Sequence, residues 1–579
     1  MNKSNKIIIP IVLLILIFIS IYMYSCEYND LGLFTTSDGK EETGNGKNVA
    51  DELDISNNEY FLKLKAKQKN KNPLNDINIR KAIFYSIDRE RIVNELYGEY
   101  NKVLNSLFAI DSYYYYPAWS EYDYDLNKAK EFLSRAGYGI DNPLYITIGT
   151  TSDKSEEQKQ IIEDMIKEDL DKIGIKLGIF NKPSEEWYPD YVLSGNYELG
   201  VLLIKNFDGS SLNSNFSSDK LPSLATEENK DCLNFYWYKN SDADEILKKV
   251  INESDTEKRK ELFQNLQDIL TQDVVILPLY NELFAIAYNN KKIKNVDFSI
   301  KNNKIFFDIE NWILSNKEEE SADEMNEIVV GYKGGDCKLS NPFSFDYINS
   351  LVLKGLWEIN KKGEYEPVLV EEDYVSSDDI TTSMPTLKRR ITLKDNIFWE
   401  DGTLITSGDV KYTYDAILEN DSIRNIDKDY SRIEGIEIIN EKEFNIVFKE
   451  NVKDWKKLFS VILKEGLLEA KEINNFSVKD ITANGPYKIA EYANKDYLLL
   501  EKNEFYTGEA PEIDYIKILF DTDINNLIGM FRNGEVDLLE IPADLNLMKN
   551  LEEDEDFDLL VKPNNFLEHL AICLKPKEE

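Results

Sequence analysis

The chain has 579 residues, of which 42% are hydrophobic and 12% aromatic, so it can bury large cores and form roughly two to four structural domains. Its formal net charge is −39, from 107 acidic and 68 basic residues. This acidic excess argues against nucleic-acid binding and against direct binding to anionic lipid headgroups, because both need a basic surface.

Residues 1–26 have the pattern of an export signal, with two lysines before an apolar run at 7–24 and a Ser-Cys pair after it. The abrupt ending resembles a bacterial lipoprotein signal, in which Cys26 becomes the lipidated first residue. The run is also close to the roughly 17–25 residues that cross a bilayer, so an uncleaved membrane anchor is the alternative. Both place the remaining chain at the cell membrane, facing the extracellular side, because the positive flank stays inside.

Two polar stretches divide the rest of the chain. Residues 27–58 lack any apolar period and are predicted to form a flexible tether. Residues 314–326, which include three consecutive glutamates, are predicted to form a linker. We therefore expect two folded regions, at 59–313 and 327–579.

The first region alternates between helical and strand patterns. A strand, a helix and a second strand follow one another, an order that favours a parallel sheet with the helix packed on one face. The predicted elements are a capped helix at 79–87, a strand at 144–148, a helix at 158–173, a strand at 175–179 and a helical hairpin at 244–270, broken near Ser254.

The second region mixes the same two patterns and, with the first, predicts α/β and α+β lobes. Its predicted elements are a strand at 327–332, a helix at 351–357, a helix opened by a capping box at Thr406 and Asp409, and strands at 444–448 and 515–519.

Catalytic and metal-binding spacings are absent from the sequence. It has no Gly-Xaa-Ser-Xaa-Gly elbow, no phosphate-binding glycine-rich loop and no paired-cysteine motif. His569 is the single histidine, and we expect it to be structural, on a strand. The cysteines after Cys26 (Cys232, Cys337 and Cys573) lie far apart and predict no disulfide framework. No catalytic residue, metal site or cofactor is predicted, and an enzyme is not expected.

Each of the two regions contains several short motifs. The clearest is Phe-Trp-Glu-Asp-Gly-Thr-Leu at 398–404, followed by Thr-Ser-Gly-Asp-Val at 406–410. Others are Asn-Gly-Pro-Tyr at 484–487, Gly-Glu-Val-Asp at 534–537, Asn-Pro-Leu-Asn-Asp at 72–76, Ala-Gly-Tyr at 136–138 and Ile-Leu-Pro-Leu-Tyr at 276–280. These motifs resemble those of the family 5 extracellular solute-binding proteins, the oligopeptide- and dipeptide-binding class. The first is similar to that family's W-x-D-G-x-P-L-T-A-E-D-V signature, without its proline.

The resemblance implies an α/β, two-lobed periplasmic-binding-protein-like fold of type II, similar to cluster C. In the family, the block that 327–579 resembles comes first, whereas here it comes second. Segments 60–65 and 569–575 both resemble the crossing segment that precedes the P-L-x-D motif. A clean circular permutation would contain that crossing segment only once. We therefore expect a circularly permuted protein or one assembled from two half-units, with 59–313 as lobe II plus the return to lobe I and 327–579 as lobe I. Two incompatible halves that await other chains are the alternative.

The resemblance also implies that the protein captures oligopeptides for uptake by an ABC transporter. The expected partners are a peptide, the permease subunits and, through the N-terminal anchor, the membrane, and no nucleic acid is expected. In the family the peptide lies extended between the lobes and pairs its backbone with a strand. By that alignment Ile204 and Asn206 offer backbone groups, and Asp208 binds the peptide ammonium or else is a turn residue. Trp399 and Tyr487 are candidate lobe I walls, with a core role as the alternative for Trp399. The alternative functions are those of a membrane-tethered sensor, an adhesin or a degenerate relic. A hydrolase is a further alternative.

Overall fold

The computed structural model divides into two compact units. Unit 1 holds the described residues up to Leu283 together with 543–545 and 563–576, and unit 2 holds 284–542 and 546–562. The chain therefore passes between the units inside two long strands, near residue 283 and near residue 562. The described residues are 61–576 without 68–71, 154–156, 206–208, 227–230, 254, 299–304, 307, 316–325, 335–347, 361–364, 376–386, 420–427, 451, 453–454, 468–477 and 494.

Several sequence predictions fall outside these residues, namely the signal or anchor segment with Cys26, the tether at 27–58, most of the linker at 314–326, and Cys337. In the part of the chain that is described, no helix has both the length and the apolar character needed to span a bilayer. Cys232 and Cys573 are buried free thiols.

Unit 1 is built on a mostly parallel sheet with helices packed against it. Its strands are β1 Leu144–Gly149, β2 Ile175–Ile179, β3 Leu199–Lys205, the first half of β4 Ile276–Asn289 and the last part of β18 Phe557–Ile572. Its helices are α1 Ile77–Ser86, α2 Arg89–Tyr97, α3 Leu126–Arg135, α4 Glu157–Asp171, the one-turn helix Ser184–Glu186, α5 Gly209–Phe216, α6 Ser241–Asn252 and α7 Thr256–Asp273.

Acidic residues begin several of these helices because their carboxylates accept hydrogen bonds from backbone amides that have no partner within the helix. Asp76 accepts from the Asn78 amide at 2.8 Å, and Asp125 accepts from two amides in the first turn of α3 at 3.0 Å. Asp255 caps α7 in the same way, just after the predicted break near Ser254. The predicted helical hairpin is thus observed as α6 and α7.

The predicted strand–helix–strand order is confirmed by β1, α4 and β2. β1 pairs with β2 in parallel, from Leu144 with Ile175 to Ile148 with Ile179. β1 also pairs in parallel with β3, and β18 runs antiparallel to β3 on its other side. The carboxyl ends of β1, β2 and β3 therefore lie at one edge of the sheet.

The two segments that resemble the crossing segment adopt different structures. Residues 569–572 lie in β18, whereas 61–66 form a helical segment. The Phe61 ring packs edge-on against Tyr145, with the ring centroids 5.7 Å apart, and occupies the space that a Cβ at Gly178 would need. The Lys65 ammonium pairs with Glu198, which is buried. Only the later copy is therefore a strand of the described sheet.

Unit 2 contains a mixed sheet in the order β14-β15-β16-β7-β17-β4 and a separate four-stranded antiparallel sheet in the order β10-β11-β13-β12. The first uses β7 Glu327–Lys333, β14 Tyr487–Ala493, β15 Tyr497–Lys502, β16 Tyr515–Asp521 and β17 Leu538–Ile541, and the second uses β10 Val370–Val375, β11 Lys388–Leu393, β12 Ile433–Ile438 and β13 Glu443–Phe448. Two short pairs are β5 Ile293–Lys294 with β6 Ile313–Leu314, and β8 Trp357–Ile359 with β9 Tyr365–Pro367. The helices are a one-turn helix Asn349–Val352, α8 Ser407–Glu419, α9 Ile524–Arg532 and α10 Leu545–Glu552, whose first residue belongs to unit 1.

The predicted strands at 327–332, 444–448 and 515–519 are observed, and so is the capping box. The Thr406 amide donates to Asp409 Oδ2 at 2.7 Å, and Thr406 Oγ1 accepts from the Gly408 amide at 3.2 Å. These reciprocal bonds fix the start of α8.

The predicted helix at 351–357 is wrong beyond its first turn. The helix ends at Val352, and Trp357 begins β8 instead, where its ring packs edge-on against Trp455. Between them Gly355 lies so close to the Phe459 carbonyl that a Cβ there would come within 2.3 Å of it. This close backbone approach requires glycine and replaces the helix.

Candidate functional site

The strand β3 is paired unequally on its two sides. On one side all seven residues pair with β18, from Lys205 with Phe566 to Leu199 with Ile572. On the other side only Leu199 and Gly200 pair, with the last two residues of β1. Among the described residues, the stretch from Leu202 to Ile204 therefore has an open edge where β1 has already ended.

Backbone groups along a strand point alternately to its two sides. The carbonyl of Val201 faces the β1 side, where it accepts a hydrogen bond from Thr150 Oγ1 at 3.1 Å. Leu203, two residues on, presents its backbone groups to the same side, whereas those of Leu202 and Ile204 face β18. The register therefore favours Leu203 over Ile204 for a backbone contact at the open edge.

Polar side chains follow the ends of β1 and β2 at this edge. Thr150 and Thr151 are both fully buried directly after β1. The Thr150 amide donates to Asn181 Oδ1 at 3.0 Å, and the backbones of Thr151 and Lys182 form an isolated parallel bridge. The Asn181 side chain thereby ties the end of β2 to the end of β1.

The carboxyl of Glu163 on α4 lies behind this edge. Asn181 Nδ2 donates to Glu163 Oε2 at 2.7 Å. The side chain is fully buried, and Oε1 has no hydrogen-bond partner among the described residues. Burial raises the pKa of Glu163 to about 7, with a smaller raising effect from Asp164, while the bond from Asn181 lowers it. The carboxyl is thus poised between its neutral and ionised forms near pH 7.

The sequence-predicted residues fall into two groups. In unit 1, Ile204 is 7% exposed on β3, while Asn206 and Asp208 lie outside the described residues, between the end of β3 and the start of α5. In unit 2, Trp399 and Tyr487 are fully buried, each in a different hydrophobic cluster.

The surroundings of the two aromatic residues are those of core side chains. Tyr487 donates its hydroxyl to the Ile513 carbonyl at 2.9 Å. The Trp399 indole nitrogen has no acceptor in the described part of unit 2, and its ring packs within the cluster that includes Leu393 and Val410. This packing favours the core alternative for Trp399, and the role of both residues as ligand walls stays a prediction.

His569 has the structural position that the sequence predicts. It lies on β18, is fully buried, and its Nε2 is 2.9 Å from the hydroxyl of Tyr236. Burial lowers the pKa of His569 to about 3, so the ring is neutral at ordinary pH. Within the described chain, no group of three or more His, Cys, Asp or Glu residues has a geometry that could hold a metal ion.

Unit 2 has a shallow cavity of about 830 Å³ beside the end of β4. Its lining residues are Tyr288, Asn290, Lys291, Lys294, Asn295, Ser315 and Asp558. Asp558 accepts from Tyr288 at 3.0 Å and from Asn290 at 2.8 Å, and Lys291 pairs with Asp556. Most of its polar groups thus bind one another and hold the adjoining ends of β4 and β18.

Comparison with known proteins gives matches to one family. The sequence model of the bacterial extracellular solute-binding proteins, family 5, matches residues 27–221 and 364–575. The dipeptide-binding protein DppE of Bacillus subtilis is 26% identical over 226 residues, which cover 36% of this chain and 40% of the relative. The glutathione-binding protein GsiB of Escherichia coli K12 is 24% identical over 219 residues, which cover 38% and 41%.

Solved structures of the same class also match. The oligopeptide-binding protein AppA of Bacillus subtilis, in complex with a nonapeptide, is 20% identical with a TM-score of 0.35, covering 40% of this chain and 46% of that one. NikZ of Campylobacter jejuni, in complex with Ni(L-His), is 22% identical with the same TM-score and the same coverage. The chain spans about two fifths of the length of the curated relatives just named. Because the family model covers most of the sequence, the chain belongs to the bacterial extracellular solute-binding proteins of family 5, and its mixed α/β architecture is of that family's class.

Proposed function

We propose that the protein captures oligopeptides outside the cell and delivers them to the permease of an ABC transporter. Membership of family 5 supports a solute-binding role without catalysis. The observation that carries the proposal is the open edge of β3 at Leu202–Ile204, because an extended peptide can add to such an edge through main-chain hydrogen bonds. Main-chain pairing gives affinity without demanding a particular peptide sequence.

Asp208 is the proposed partner of the peptide ammonium. It follows the last residue of β3 by three positions in the sequence. A carboxylate paired with an ammonium forms a charge-assisted hydrogen bond, which is about twice as strong as a neutral one. Ile204 and Asn206 remain the residues that the resemblance assigns to the peptide backbone, although the register of β3 favours Leu203 over Ile204, and Trp399 and Tyr487 remain proposed ligand walls.

We infer that the two halves of the sequence rebuild one solute-binding protein in permuted order. The support lies within unit 1, where Asn72 Nδ2 donates to the carbonyls of Cys573 at 2.9 Å and Lys575 at 3.0 Å. In the family the crossing segment leads directly into the P-L-x-D motif, which begins here at Pro73. The end of β18 thus lies beside the motif to which it is joined in the family.

The lengths of the matches also support the permuted order. A comparison that runs in one direction along both chains can follow only one block when two blocks are exchanged. The curated relatives accordingly match over 40% and 41% of their length. The membrane anchor at 1–26, lipidated at Cys26 or retained as a span, completes the proposal by keeping the protein near its permease.

The test is to incubate the full chain without its first 26 residues with a peptide mixture and to identify what co-purifies by mass spectrometry. Intact bound peptides are expected. Recovery of glutathione, which GsiB is named for, or of a nickel complex like the one in the NikZ structure would contradict oligopeptide binding. If no ligand co-purifies, the result would favour a sensor, an adhesin or a degenerate relic. If cleaved peptides are recovered, the result would favour a hydrolase.

The same assay tests Asp208. The Asp208→Ala variant is expected to lose an order of magnitude or more in affinity for free-amine peptides and little for N-acetylated ones. Asp219→Ala is the matched control, because that aspartate is 76% exposed and the ammonium paired with it among the described residues lies at 3.9 Å. Equal affinities in the two variants would remove Asp208 from the site.

A further inference from the structure

We propose that Glu163 is a positioning residue for the open edge of β3, and that its ionisation sets how firmly the ends of β1 and β2 hold that edge. The proposal rests on the proposed function, since it concerns the same edge. It adds that ligand capture depends on pH through a residue that the ligand never touches.

The geometry is a relay of three hydrogen bonds across the sheet. Glu163 Oε2 accepts from Asn181 at 2.7 Å, and Asn181 Oδ1 accepts from the Thr150 amide at 3.0 Å. Thr150 Oγ1 then donates to the carbonyl of Val201 at 3.1 Å. The relay joins α4 to the ends of β1 and β2 and to the residue from which the open edge of β3 begins.

Each link has a fixed direction. The Thr150 amide can only donate, so it orients the Asn181 side chain with its oxygen toward Thr150 and its NH₂ toward Glu163. Glu163 then accepts in both of its protonation states. When it is ionised, the bond from Asn181 becomes charge-assisted and stronger.

The surroundings leave the ionised form with little other compensation. Oε1 is buried and has no partner among the described residues, so an ionised Glu163 has its bond from Asn181 and the charge of Lys159, one turn earlier on α4. Asp164, its neighbour, opposes ionisation. Burial accordingly raises the pKa of Glu163 to about 7.

Several charged groups on the elements packed against α4 are paired elsewhere. On α2, Arg91 pairs with Glu168 and Asp169 at 2.9 Å. On β2, Lys176 pairs with Asp171 at 2.5 Å, and after β2, Lys182 pairs with Glu186 at 3.3 Å. On α1, the Arg80 guanidinium donates to the carbonyls of Leu74 and Asp273. None of these groups is a cause of the Glu163 shift, so the pH dependence is assigned to Glu163 itself.

The consequence for binding follows from the stronger bond. A peptide that pairs with β3 needs the neighbouring ends of β1 and β2 held in place, and ordering them in advance lowers the cost of binding. Doubling one hydrogen bond of about 1 kcal/mol predicts roughly fivefold tighter binding at pH 8 than at pH 6.

The first experiment measures the edge without any ligand. Hydrogen exchange of the Thr150 amide, corrected for intrinsic rates, is followed from pH 5.5 to 8 in the wild type, in Glu163→Gln and in Glu168→Gln. Protection is expected to rise through pH 7 in the wild type and in Glu168→Gln, whose carboxylate is 65% exposed on the same helix, and to stay level in Glu163→Gln. A rise that persists in Glu163→Gln would overturn the proposal.

A second variant keeps the test sharp if the glutamine is poorly accommodated. Asn181→Ala cuts the relay and leaves Glu163 able to titrate, so protection of Thr150 is expected to lose its pH dependence there too. Persistence in Asn181→Ala would equally refute the relay.

The second experiment measures the affinity for trialanine at pH 6 and pH 8 by calorimetry. If the affinity of the wild type is fivefold higher at pH 8 than at pH 6 and that of Glu163→Gln is unchanged, the result supports the link between Glu163 and binding. An equal pH dependence of the affinity in the two proteins would refute that link. Absence of trialanine binding at either pH, with the exchange result intact, would count against oligopeptide capture while the positioning role of Glu163 stood.

Discussion

Replacing Asn72 by alanine tests whether the end of β18 is held beside the start of the P-L-x-D motif. The substitution removes two hydrogen bonds, to the carbonyls of Cys573 and Lys575, and a third in which Asn72 Oδ1 accepts from the Leu74 amide at 3.1 Å. Asn72 is only 6% exposed, so the freed groups gain little contact with water.

The magnitude follows from these three bonds. Each contributes about 1 kcal/mol net, and a buried carbonyl left without a donor costs at least as much again in lost solvation. The expected loss is therefore at least about 3 kcal/mol, concentrated where β18 meets the P-L-x-D motif. In exchange terms this is roughly a hundredfold decrease in protection of amides that open only with the end of β18.

Native-state hydrogen exchange of the Cys573 amide reads out this loss, because that amide donates to the Glu198 carbonyl at 3.0 Å inside unit 1. Asn78→Ala is the control, since the Asn78 side chain is half-buried and its hydrogen bond, to the nearby Asp76, is exposed. Equal protection in the two variants would show that Asn72 does not hold the end of the chain, and the permuted connection would lose its structural support.

Three further substitutions address the buried polar groups of unit 1. Because its folded pKa of about 7 lies above the ordinary 4.5, Glu163 withdraws stability as pH rises from 4.5 to 7, by about 1.4 kcal/mol per pH unit; the unfolding free energy of the wild type minus that of Glu163→Gln, from urea unfolding, should fall with that slope, and parallel curves would contradict it. His569 has a folded pKa of about 3, below its ordinary 6.5, so its contribution to stability is lost as pH falls below 6.5; the unfolding free energy of the wild type minus that of His569→Gln should decrease from pH 6.5 to 4. Arg89 donates to four backbone carbonyls, those of Leu104, Pro278, Trp119 and Tyr122. Arg89→Lys should lower the free energy of unfolding, measured by chemical denaturation, by about 3 kcal/mol or more, whereas Arg135→Lys on the surface should leave it almost unchanged.

Local patterns predicted the elements of unit 1 well where one period dominates. The strand at 144–148, the helix at 158–173 and the strand at 175–179 each carry a clear apolar repeat, and the parallel pairing of the two strands follows from their order. The capping box at Thr406 and Asp409 was likewise predictable, because both partners lie within four residues.

The relay behind the open edge could not be predicted in the same way. Its partners lie 18, 31 and 51 residues apart, and no periodic signal links them. One local sign was available: Glu163 lies three and seven residues before Ile166 and Leu170, on the buried stripe of α4, where a charged residue is unusual. An acidic residue on an apolar stripe identifies a buried group, but not the strand ends that it holds, and Asp169 on the same helix carries the same sign.

Similar sequences at 61–66 and 569–572 adopted different structures because tertiary context overrides local pattern. The position beside β3 is buried on both faces, with Leu570, Ala571 and Ile572 fully buried. The earlier segment has Lys63 and Lys65 in alternate positions, and a strand there would bury two ammonium groups at high cost. As a helical segment it leaves Lys63 exposed and pairs Lys65 with Glu198.

The two buried titratable groups of unit 1 oppose each other. As pH rises, the contribution of His569 increases up to its ordinary pKa of 6.5, whereas that of Glu163 decreases between 4.5 and about 7. From these two groups alone, stability is level between pH 4.5 and 6.5 and then falls slightly. The edge of β3, in contrast, is held most firmly above pH 7, where Glu163 is ionised. The pH that favours binding is therefore higher than the pH that favours folding, and stability is given up for function, as is common at binding sites. Glu163→Gln should remove both dependences at once, since both arise from one carboxyl, whereas His569→Gln should change the stability curve and leave the affinity curve unaltered.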